Sequence, residues 1–176
     1  MILKFILSIF IILLTSQSYA CKCEGPATVK ESFKSAELIV YGKVVKKDTV
    51  LFSETIEKEG VNQVKEWLKD DKQKLFMFEM TKVIKVQLQI VEMFKGNPTA
   101  ETVVIYTPLL SASCGYRFEN GTEYIIYASK KNFLDVFFNT GDRSKENTFW
   151  TTHCTRTTAY KKLEADELRT LKHKDE

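Results

Sequence analysis

Histidine is nearly absent from this 176-residue chain, and so is any imbalance of charge. The two histidines, His153 and His173, leave little from which to build a general base or a metal centre. His173 lies in a polar tail, and His153 is the only histidine that could serve Ser111 or Ser113; those serines, beside Cys114, read more simply as a small-residue loop. No C-x2-C pair occurs, so a structural zinc held by cysteines and His153 lacks its usual ligand spacing. There is no glycine-rich phosphate loop either, and the adjacent Asp70 and Asp71 sit in a charged stretch that reads as solvated surface. These absences argue against an enzyme and against a cofactor of its own. Lysine plus arginine number 26 against 23 acids, a net charge of +3. A balance that small gives no electrostatic reason to propose nucleic acid or an anionic membrane as a partner. Beyond residue 20 no long apolar run occurs.

What is there begins with a leader. Lys4 is the only charge before an apolar core from Phe5 to Leu14, which is too short to span a bilayer comfortably, and a polar segment ends in Ser18-Tyr19-Ala20. The expectation is a signal peptide over 1–20, cleaved between Ala20 and Cys21, followed by a single domain over 21–176. Lipidation of Cys21 is the competing fate. The four cysteines, at 21, 23, 114 and 154, are read as two disulfides in an exported chain. A bridge between Cys21 and Cys23 is disfavoured by geometry, and the other two pairings both tie the N-terminus to distant places. Cleavage would make Cys21 the first residue. With its thiol in a disulfide, the α-amine and the carbonyl oxygen could still close a five-membered chelate ring on a metal ion.

Along the chain, Thr28-Val29-Lys30-Glu31 fits a capping box opening a short helix over 28–36. Leu38 to Val45 reads as a strand, with Gly42 marking a bulge or bend. The polar stretch 47–75 carries Val61, Val64, Leu68 and Leu75 at helical spacing, which fits an amphipathic helix over 61–73 or a mobile loop. Lys82 to Phe94 alternates with the period of a strand wet on one face. Another strand spans Glu101 to Thr107, stopped by Pro108, and a loop from Leu109 to Ser113 leads into Cys114-Gly115-Tyr116. Asn120-Gly121 signals a two-residue hairpin turn between 116–118 and 124–127, and with Thr122 it also matches a glycosylation sequon, although the turn accounts for it alone. A strand near 133–138, one ending at Cys154, and a helix over 160–172 complete an all-β barrel or sandwich.

Cys21-x-Cys23 after the leader, Met93-Phe94-Lys95-Gly96, Tyr106-Thr107-Pro108 through Cys114-Gly115-Tyr116, and Thr151-Thr152-His153-Cys154 together resemble the inhibitory domain of the tissue inhibitors of metalloproteinases. The resemblance implies a netrin-like module, an all-β five-stranded Greek-key barrel of OB type with flanking helices. It implies the pairings Cys21–Cys114 and Cys23–Cys154. It further implies a zinc metalloproteinase as partner, with Cys21 chelating the target's zinc and Lys22 entering the specificity pocket. Cys23, Glu24, Gly25 and Pro26 would lie along the cleft, and Leu110, Ser111, Ala112 and Ser113 would form a second contact edge. Such a protein is secreted to the extracellular space. The alternative is a non-inhibitory netrin-like binding or adhesion module, with or without a lipid anchor on Cys21 at the outer surface or in the periplasm. Two departures stand out. Lys22 replaces the family's usual Thr or Ser, and Phe33-Lys34 stands where the first cysteine of a third disulfide would lie.

Overall fold

The computed structural model describes residues 23, 27–98, 100–109, 114–141, 145 and 147–175. Helix α1 (Val29–Ser35) starts where its capping box dictates: the Glu31 amide donates to Thr28 Oγ1 at 3.2 Å, and the Thr28 amide donates back to Glu31 Oε2 at 2.8 Å. The Thr28 amide, and its hydroxyl beside it, donate to the Glu31 carboxyl and hold it below its ordinary pKa. Phe33 is buried against Ile39, Phe94 and Leu168, while Lys95 lies over its ring at 5.3 Å and donates to its carbonyl at 2.6 Å. An aromatic plug and a lysine clamp thus dock the helix.

Two 14-residue strands, β1 (Leu38–Leu51) and β2 (Lys82–Lys95), form an antiparallel pair that runs most of their length. β3 (Thr102–Pro108), β4 (Glu123–Ala128), β5 (Thr148–Trp150) and β6 (Thr158–Ala159) complete one mixed sheet in the order β5-β3-β2-β1-β4-β6, with β3 and β5 parallel. The sheet curls. Ser129, just past β4, exchanges backbone hydrogen bonds with Trp150 of β5 at 2.7 and 3.0 Å, bringing the two ends of the sheet round to one another. The result is a half-barrel with flanking helices. Among the described residues it has six strands rather than the expected five, because β6 occupies the β4 edge beside Tyr124 and Ile125. Two residues are too few to show periodicity in a sequence.

Alternation decides which core each strand feeds. Leu38, Val40, Val44, Val86, Leu88, Ile105 and Ile126 point into the curl, whereas Ile39, Ile125 and Tyr127 point outward against α1 and the C-terminal helix α5 (Lys162–Asp175). Both faces are therefore largely buried in the first part of β1, from Leu38 to Gly42, and in β4, which explains the near-continuous apolar runs there. Gly42 sits at one of three register shifts in the β1–β2 ladder, and a Cβ there would lie 2.4 Å from the Gln89 carbonyl oxygen. The neighbour is backbone and cannot step aside. Gly42→Ala is expected to cost about 1–3 kcal/mol, measured as a fall in the urea midpoint with unchanged slope.

The stretch that reads as helix or loop is two helices, α2 (Lys58–Leu68) and α3 (Lys72–Met80), reached through a 3-10 turn at Phe52–Thr55. Val64, Leu68 and Phe78 pack with Phe52, Tyr106 and Trp150 in a third core, and this burial is what holds the segment in place. Two other expectations are corrected. Residues 133–138 contain no strand: Asp135 accepts from the Gly141 amide at 2.6 Å, and the helical turn α4 (Asp135–Phe138) buries Phe138 against Phe52 and Phe78. The Asn120-Gly121 turn forms, but 116–118 is no strand and makes no hairpin ladder. The Gly121 amide donates to the Val44 carbonyl, Val44 donates to that of Thr122, and β4 pairs with β1. Tyr116, Phe118 and Tyr124 pack their rings together where the ladder would be.

Candidate functional site

Three distant pieces of chain meet at one rim of the half-barrel. A disulfide joins Cys23 to Cys154, with Cα atoms 5.1 Å apart across 131 residues of sequence. Cys114 Sγ lies 3.9 Å from Cys154 Sγ, and the Cys114 carbonyl accepts from the His153 amide at 2.7 Å. Cys114, itself disulfide-bonded, has a left-handed φ of 63°. The segment carrying Cys154 is stiff because its threonines replace a strand ladder with side-chain hydrogen bonds. Buried Thr151 Oγ1 donates to the Tyr127 carbonyl at 2.9 Å and lies 2.7 Å from the hydroxyls of Thr155 and Thr157. The Tyr127 amide in turn donates to Thr157 Oγ1.

A second anchor holds Ala27, four residues beyond Cys23. Arg156 Nη1 donates to the Ala27 carbonyl at 2.6 Å, while its other nitrogens fork onto the Glu164 carboxylate at 2.8 and 3.2 Å. Glu164 is 7% exposed and also accepts from the Tyr127 hydroxyl at 2.8 Å. Burial, then the bond to Glu164, pushes the Tyr127 pKa far up, so this phenol stays a donor at every physiological pH. Burial works against the Arg156 charge, but the hydrogen bond and charge of Glu164 outweigh it and raise its pKa. Residues 24–26 are thus bracketed by a covalent tether at Cys23 and a charged clamp at Ala27. Arg156→Ala frees Ala27 and strands a buried carboxylate, an expected loss of about 3 kcal/mol. Arg156→Lys should recover little of it, since an ammonium cannot make the fork. Thermal unfolding, with hydrogen exchange over residues 28–33, measures both.

Of the residues singled out in the sequence, Cys23, Cys114 and Cys154 are brought together here. Cys21, Lys22, Glu24, Gly25, Pro26, Leu110, Ser111, Ala112 and Ser113 lie outside the described residues. The cysteine zinc site is ruled out for Cys23 and Cys154, whose thiolates are consumed in their bridge. Among the described residues no group of three or more potential ligands could hold a metal, and no helix is long and apolar enough to cross a membrane. Sequence reasoning missed Arg156, Glu164 and Tyr127. Ala27 and Arg156 are 129 residues apart, and nothing local to either marks them as partners.

The family described as tissue inhibitor of metalloproteinase matches residues 19–176. No curated protein matches the chain.

Proposed function

The chain belongs to the tissue inhibitor of metalloproteinase family, and we propose that its 21–176 domain is an extracellular inhibitor that blocks a zinc metalloendopeptidase through the Cys21 amine and carbonyl. In this reading residues 1–20 are removed as a signal peptide. Cys21 pairs with Cys114, and the curled sheet is an OB-type Greek-key barrel with β6 added at one edge. The amine nitrogen of Cys21 would take the position that a catalytic zinc keeps open for its attacking water, and its carbonyl oxygen would supply a fifth ligand. Cys23 to Pro26 lie along the cleft, and the loop Leu110 to Ser113 makes the second edge.

The observation that carries the proposal is the double anchorage of the N-terminal segment. The bridge from Cys23 to Cys154 and the clamp from Arg156 onto Ala27 fix the chain at two points, Cys23 and Ala27. A chain tethered at two points has less conformational entropy to lose on docking, which favours delivery of a chelate from Cys21. The test is titration of a panel of zinc metalloendopeptidases with protein secreted from cells and shown by intact mass to begin at Cys21. Stoichiometric loss of activity of at least one enzyme supports the inhibitor. No inhibition across the panel by correctly processed protein leaves a binding module in its place.

Lys22 sets the target. A charged amine entering an apolar pocket is costly unless the enzyme supplies an acidic partner. Lys22→Thr is expected to tighten inhibition of enzymes with deep apolar pockets by tenfold or more, about 1.4 kcal/mol per tenfold. Inhibition constants across the panel measure it. If none of them moves, Lys22 stays outside the pocket.

A further inference from the structure

The triplet Asn120-Gly121-Thr122 has no part in the function proposed above, yet it is placed as a modification site would be. It is the only Asn-x-Ser/Thr triplet in the chain without proline in the middle; Asn97-Pro98-Thr99 has the spacing but carries the blocking residue. Asn120 is exposed at the tip of the turn. Gly121 has φ +79°, and a Cβ built there would meet nothing within 4 Å. The tip is nevertheless firmly held, with the Gly121 amide on the Val44 carbonyl at 2.8 Å and the Thr122 amide on that of Glu119 at 3.2 Å. A bulky group on the Asn120 side chain would stand in solvent without disturbing a packed surface.

The placement also leaves the anchored rim free. β4 begins at Glu123, just past the turn, and ends at Ala128 beside the Ser129–Trp150 bridge, and the 151–157 segment is bonded to that far end through Tyr127. At about 3.3 Å per residue the turn is roughly 20 Å from the rim that carries Cys154. The Cys23–Cys154 bridge places the folded chain in an oxidising compartment, such as the one in which asparagine-linked sugars are added.

We propose that Asn120 is an N-glycosylation site. In the transfer, Asn120 Nδ2 attacks the anomeric carbon of a lipid-pyrophosphate-linked oligosaccharide. The new N–C bond forms as the C–O bond to pyrophosphate breaks; the lipid pyrophosphate leaves with the electron pair and the amide nitrogen gives up one proton. The test is secretion of the full-length chain from a glycosylating eukaryotic cell, followed by intact mass before and after peptide-N-glycosidase. The expected result is a shift of one oligosaccharide that the enzyme removes. N120D, which keeps a residue suited to the turn but lacks the amide nitrogen, should lose the shift. T122A should lose it and T122S should retain it, so a failure of either turn variant to be secreted leaves the other to decide. Secreted protein at its unmodified mass, or a glycan that survives in N120D or T122A, overturns the assignment.

Discussion

Adding one alanine ahead of Cys21 is expected to abolish inhibition of the target metalloproteinase, by a hundredfold or more, while thermal unfolding stays unchanged. The extension converts the α-amine of Cys21 into an amide nitrogen, whose lone pair is delocalised and unavailable to zinc. Acetylation of the amine does the same chemically. Both leave the Cys23–Cys154 bridge and the Arg156 clamp on Ala27 as they were, so folding and binding can be read separately. The same group predicts a pH dependence. Only the neutral amine can donate to the metal, and an ordinary α-amine has a pKa of about 7.7 to 8.0. Protonation competes with zinc, so inhibition should weaken as pH falls below that value, approaching tenfold per unit, beyond any titration of the enzyme itself. An extended protein that inhibits as well as the mature one would sink the chelation mechanism.

Replacing Cys23 and Cys154 together by serine is expected to produce the second large effect, on stability and inhibition at once. Cross-linking residues this far apart in sequence removes much chain entropy from the unfolded state. Under the proposed Cys21–Cys114 pairing, that second bridge keeps the long loop closed, and the change opens only the roughly 40-residue span between 114 and 154. The chain-entropy model then gives about 4 kcal/mol. For a domain near 150 residues this lowers the melting temperature by roughly 10 °C. Inhibition should weaken as well, because the segment behind Cys21 would keep only the Arg156 clamp and would lose entropy on docking. Calorimetry and inhibition constants on the same preparation measure the pair of effects. A variant that melts lower yet inhibits undiminished would show that the bridge serves the fold alone.

The elements that the sequence reveals are those whose cause is local. The capping box of Thr28 and Glu31 closes within four residues, and α1 begins there. The alternation from Lys82 to Phe94 follows from one strand having a dry face and a wet one, and β2 runs over Lys82–Lys95. Asn120-Gly121 turns the chain because glycine adopts a positive φ without a clash. The cysteine count implies bridges, and the family of the whole chain is readable from motifs that stay contiguous.

Only the tertiary structure decided the rest, because those choices turn on what lies far away along the chain. The strand after the Asn120 turn joins β1, 82 residues distant at the Tyr41–Glu123 hydrogen bond, since burying Ile125 and Tyr127 under the helices outweighs a ladder with its neighbour at 116–118. The apolar run at 133–138 curls into a helical turn because Phe138 has an aromatic cluster to fill, and the 58–80 helices stay in place for the same core. Arg156 carries no local mark of its role. It becomes a clamp on Ala27 because the C-terminal helix brings the Glu164 carboxylate beneath it, and a buried charge requires a partner wherever in the sequence that partner lies.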